Sequence, residues 1–145
     1  MPATNFTALS LGTNPTAASA DIDIGYSGAY QFGTIVQNST TPVSVTHKLP
    51  KNSRILAIVP NTTTAFDSVT SNTFTAGTTA GGTTYVSGVD LKATAGRLSP
   101  VYTGAQLLAM ENITTNTTVV VTSTPVGATT AGRLSYWIHY IPGNN

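Results

Sequence analysis

The sequence predicts an all-β fold: a single antiparallel β-sandwich, jelly-roll-like, with one short helix and an extended N-terminal arm. Three observations lead there. Threonine makes up about a fifth of the 145 residues, and its β-branched side chain loses rotamers in a helix but fits a pleated, half-exposed sheet face. Apolar residues recur with period two over seven or eight short segments, which is the period of a strand. Clusters of Gly, Pro, Asn and Ser break the chain between those segments, as in sandwiches and barrels.

The elements follow in order. Residues 1–20 show little periodicity and read as an arm, with Phe6, Leu9 and Leu11 set among Thr, Ser, Asn and Pro. A loosely ordered terminus is one reading of such a segment. The other is a strap that buries these three side chains against a neighbouring subunit, at about 1.5 to 3 kcal/mol each as an upper figure. They are the candidate subunit-interface residues.

The sandwich domain is expected over residues 21–145. Ile22, Ile24 and Tyr26 share one parity, and Tyr30, Phe32, Thr34 and Val36 share one parity after them. In VSVTHKL, Val43, Val45, His47 and Leu49 oppose Ser44, Thr46 and Lys48, the pattern of a half-buried antiparallel strand. PKNS then turns the chain into RILAIVP, which is apolar on both parities and reads as a central strand covered on both sides.

The Thr-rich stretch from Asn61 to Gly88 carries one charge, Asp67, yet reads as two strands rather than a stalk. Aromatic and β-branched residues are depleted in disordered chains, whereas Phe66 and Phe74 recur here at spacings that turn them to the core. TTAGGTT is the expected flexible connection, and Tyr85, Val89 and Leu91 share a face beyond it. In YTGAQLLAMENI, Thr103 caps a helix of about two turns, Gln106 completes a capping box and Tyr102 staples onto Leu107. VVVTSTP begins as a two-sided strand. The last run alternates Leu134, Tyr136, Ile138 and Tyr140 against Arg133, Ser135, Trp137 and His139.

Charged residues are 8% of the chain against about 25% in an ordinary soluble domain. The net charge of +1 comes from scattered groups without a basic stripe, so no nucleic-acid partner is expected. The opening MPATNFTALSLG lacks a basic leader and an apolar core, and no window approaches the ~20 apolar residues of a membrane span. Neither export by a signal nor a membrane partner is expected. Cysteine is absent, which removes disulfides, thiolate metal sites and Cys nucleophiles together.

Catalytic patterns are equally sparse. His47 and His139 lack metal-ligand spacing, and His47 lies on the apolar parity of its strand, where a hydrogen-bonded core histidine is the plain reading. Asp21 and Asp23 supply two oxygens of the six or more that a hard cation takes. Asp67 and Asp90 are far apart, no GxSxG elbow occurs, and AGGTTY lacks a phosphate-loop context. Five Asn-x-Ser/Thr sequons, at Asn5, Asn38, Asn61, Asn112 and Asn116, are what a Thr-rich chain contains by chance. The expectation is no enzyme, no catalytic residue, no cofactor and no metal. Trp137, on the opposite parity from Tyr136 and Tyr140, is the candidate partner contact.

The succession KLPKNSRILAIVPNTTTAF, FTAGTT, YVSGVDLKATAGRL and VVVTSTPVGATTAGRLSYWIHYIP resembles a β-sandwich module of small structural proteins in tailed bacteriophage particles, of head-decoration or head-fibre type. It spans about two thirds of the chain, from Leu49 to Pro142. The resemblance implies a structural virion protein that decorates or stabilises the capsid surface by docking its sandwich and its N-terminal arm. The implied partners are the major capsid protein or other virion subunits and further copies of the chain, in a virion assembled in the host cytoplasm. It brings no catalytic residue. The alternative is a receptor- or carbohydrate-binding module of a phage fibre, built on Trp137 and the loops around Gly81 and Gly127.

Overall fold

The computed structural model describes residues 28–92 and 95–143. The expected arm, with Phe6, Leu9 and Leu11, and the segment holding Asp21, Ile22, Asp23, Ile24 and Tyr26 lie outside the described residues.

The described residues form eight strands and one helix: β1 (Ala29–Val36), β2 (Val43–Leu49), β3 (Arg54–Thr64), β4 (Ser71–Gly77), β5 (Val86–Asp90), β6 (Gly96–Arg97), α1 (Gly104–Glu111), β7 (Thr117–Val126) and β8 (Arg133–Ile141). They make two four-stranded sheets, ordered β1-β8-β3-β6 and β2-β7-β4-β5, antiparallel throughout. The all-β sandwich is therefore as expected. Four of the pairings, β1·β8, β2·β7, β3·β6 and β4·β5, are symmetric in chain order about the β4–β5 connection. Among the described strands these successive pairs alternate between the two sheets. Pairings β8·β3 and β7·β4 join them within each sheet.

The core lies between the sheets. Ile35, Ile55, Ile58, Leu134, Tyr136 and Ile138 come from one sheet, and Leu49, Phe74, Ala76, Val119 and Val121 from the other. Phe66 and Phe74 point inward, as their spacing predicts. Strand β1 is the exception to a simple reading of apolar parity. Gln31, Gly33 and Ile35 take its inner positions, while Tyr30, Phe32, Thr34 and Val36 face out. Leu56, at a register shift in β3, is also exposed, so RILAIVP is not covered on both sides along its whole length.

Helix α1 is capped as its sequence requires. Gln106 N donates to Thr103 Oγ1 at 3.2 Å, and Thr103 N donates to Gln106 Oε1 at 2.9 Å. Tyr102 immediately precedes the cap residue. Its hydroxyl accepts from Ile58 N at 3.1 Å and lies 3.2 Å from Ile58 O, tying the helix approach to β3, while Leu107 stays half exposed.

The hydroxyl-rich composition has a structural use. Ser123 Oγ donates to Asn72 Oδ1 at 2.7 Å, Asn72 Nδ2 donates to Ser68 Oγ at 3.2 Å, and Ser68 pairs with Thr129 Oγ1 at 2.7 Å, all buried. Buried polar groups cost little only when bonded in this way, and this chain joins β4 and β7 to both adjoining loops. The TTAGGTT segment is likewise bound rather than loose. Gly82 N donates to Thr79 O, Gly81 N to Thr122 Oγ1 on β7, and Gln106 Nε2 to Thr83 O, at 2.9 to 3.0 Å. A Cβ on Gly77 would lie 2.5 Å from the backbone of Gly82, so the loop packs directly on a bare strand residue.

Asp67 clamps the β7–β8 loop. Its carboxylate accepts from Thr130 N at 2.9 Å, Thr130 Oγ1 at 2.5 Å and Ala131 N at 3.0 Å. The Thr130 hydroxyl first, then these two amides, lower its pKa from 3.8 to about 2. A carboxyl depressed on folding contributes stability above its unfolded pKa and loses it as pH falls through the folded one. Thermal unfolding should therefore move to lower temperature as pH drops from 3.8 to about 2. Asp67→Asn should flatten that segment of the profile, and an unchanged profile would refute the clamp.

Candidate docking face

The outer surface of the β1-β8-β3-β6 sheet carries the exposed aromatic side chains. Register sets their arrangement, because β1 and β8 pair Tyr30 with His139 and Phe32 with Trp137. The Tyr30 and His139 rings stack at 4.4 Å between centroids and 9° between planes, and Tyr30 stacks on Phe32 at 5.9 Å and 23°. Gly28 makes room for this stack, since a Cβ there would come within 2.2 Å of His139 Nε2. Phe32 is 70% exposed and Tyr30 50%. Arg97 of β6 lies 5.3 Å from the centre of the Trp137 ring, a cation–π contact that holds the guanidinium over the indole.

Trp137 thus sits in this face, half buried, with one side of its ring taken by Arg97. The neighbouring apolar contact area is supplied by Tyr30 and Phe32. Their exposure is the part that parity alone does not predict, since it groups them without saying which way the group faces. The local signal lies in the alternate positions: Gln31 and Gly33 form the polar, small parity, and a glycine inside a strand marks close approach by another group.

That group is Tyr136. Its hydroxyl lies 2.2 Å from where a Gly33 Cβ would stand and 2.7 Å from His47 Nε2. Gln31 Nε2 donates to Lys48 O at 3.0 Å, which leaves Gln31 Oε1 as acceptor from His47 Nδ1 at 2.9 Å. The proton is then on Nδ1, and Nε2 accepts from the Tyr136 hydroxyl. Burial lowers the His47 pKa and raises that of Tyr136, so both stay neutral. Gln31, His47 and Tyr136 come from β1, β2 and β8, so the network pins the two sheets together beneath the aromatic face. It is a satisfied core histidine, and its tyrosine is shut off from solvent.

The other sequence-derived candidates are not brought together. Gly81 is bonded to Thr122, which with Ser44 lies on the outer side of the second sheet, so the Gly81 loop and Trp137 occupy opposite faces. Phe6, Leu9 and Leu11 fall outside the described residues. Among the described residues no group of three His, Cys, Asp or Glu is placed to hold a metal ion, and no helix is long and apolar enough to cross a membrane. No family model matches the chain, and neither a curated protein nor a solved structure does so.

Proposed function

We propose that this protein is a non-enzymatic structural component of a tailed-bacteriophage particle that docks on the capsid or another virion subunit through the Tyr30–Phe32–Trp137–His139 face. The observation that carries the reading is the exposed, stacked aromatic surface of this sheet, since apolar rings left in water in a contiguous group mark contact sites. The resemblance of residues 49–142 to phage decoration modules agrees with it. So does the strand pairing, read as a jelly-roll winding of the kind that serves capsid and lectin domains. The arm, through Phe6, Leu9 and Leu11, would add a second grip on an adjacent subunit.

The test is co-sedimentation with capsids assembled without the protein. Phe32→Ala and Trp137→Ala should each weaken retention about tenfold or more, the range for a central aromatic contact. Full retention of both variants would overturn the proposal. The parallel 4.4 Å stack of Tyr30 on His139 favours one second reading, a sugar-binding platform of a fibre module. A glycan array decides it: sugar binding abolished by Phe32→Ala would favour recognition over assembly.

A further inference from the structure

Among the described residues the two sheets have four edge strands, and an edge offers unpaired peptide groups that can template another strand. Three of them carry features that discourage such pairing. Strand β6 has two residues, one of them Arg97. Strand β5 has five, with Gly88 at φ +64° and Asp90 within it and a register shift against β4. Strand β2 presents Lys48 on its solvent side. Strand β1 has none of these. It runs for eight residues, AYQFGTIV, without a charge, a proline or a register shift, and among the described residues it pairs with β8 alone.

We propose that β1 pairs with β1 of a second copy of this chain, antiparallel across a two-fold axis, joining two four-stranded sheets into one of eight strands. A strand without charges meets its own copy with no like charges opposed. The two-fold arrangement satisfies both open edges at once and closes the assembly at two subunits. Inner and outer parities are preserved, so Tyr30, Phe32, Thr34 and Val36 of both copies stay on one outer face. The aromatic surface is thereby doubled, and a dimer could engage a repeating lattice at two points, gaining avidity without new contacts.

The experiment is the solution mass of the full chain by sedimentation equilibrium, with circular dichroism to confirm that each variant keeps its sheets. The wild-type protein should have twice the mass of the chain. Thr34→Lys, at an exposed outward position, should halve that mass, and Thr34→Val should leave it unchanged. Phe32→Lys is the second charged variant should Thr34→Lys fail to fold. A wild-type chain of single mass at every concentration, as when the chain's own N-terminal residues cover β1, would overturn the proposal. A dimer that survives both lysine variants would also do so. No capsid enters this measurement, so its failure leaves the docking proposal to its own test.

Discussion

Replacing Tyr136 with alanine should destabilise the protein by about 3–5 kcal/mol, the range for removing a large buried aromatic side chain. The ring is fully buried, with Phe74 edge-on at 6.1 Å and His47 at 5.5 Å. Its removal leaves a cavity between the sheets and strips His47 Nε2 of its donor. Tyr136→Phe keeps the packing and loses only the hydroxyl, which should cost about 1–3 kcal/mol for the orphaned acceptor. Since domains of this kind have about 5–15 kcal/mol in total, the alanine variant should unfold at much lower urea with an unchanged m-value. Equal losses for the two variants would show that the hydrogen bond, not the packing, holds the sheets together.

The second large effect is expected on the opposite side of the same contact. Gly33→Ala places a methyl group where the Tyr136 hydroxyl and Cζ would be 2.2 and 2.3 Å away. The ring is held between Phe74 and His47 and has little room to retreat, so overpacking should cost about 1–3 kcal/mol. The cause can be isolated by a double-mutant cycle. In a Tyr136→Ala background the methyl group meets the cavity, and Gly33→Ala should be close to neutral. Additive losses would mean that the glycine matters for its backbone and not for the space it leaves.

Much of this architecture was legible in the chain, and the reasons differ between elements. Strand β8 reads clearly because its inner residues, Leu134, Tyr136 and Ile138, are large and apolar while Arg133 and Ser135 are not. The helix reads clearly because Thr103 and Gln106 satisfy a local geometric rule that needs no tertiary partner. Strand β1 misleads because both of its parities contain apolar residues, and the larger ones face out. Whether Phe32 is buried depends on Tyr136 claiming the inner space beside Gly33, a contact over about a hundred residues that no local window contains. The Gly81 loop misleads for a related reason. Glycines suggest freedom, but here the missing side chains let backbone lie directly on backbone. Of the candidate site, Trp137 was legible from parity, whereas the Tyr30–His139 stack and the Arg97 cover depend on register between distant strands.

The symmetric strand pairing also sets the order in which the molecule can be made. Strands β4 and β5 are neighbours in the chain and can pair early, but β1 has no partner among the described strands until β8 has left the ribosome. Sheets dominated by distant pairings fold slowly, because the loop-closure cost precedes the reward. For most of synthesis the uncharged β1 therefore lacks its β8 partner, and an unpaired strand edge favours misassembly with neighbouring chains. A protein made in many copies at once would meet this hazard on every polysome, and an added lysine at Thr34 should raise its soluble yield when expressed alone.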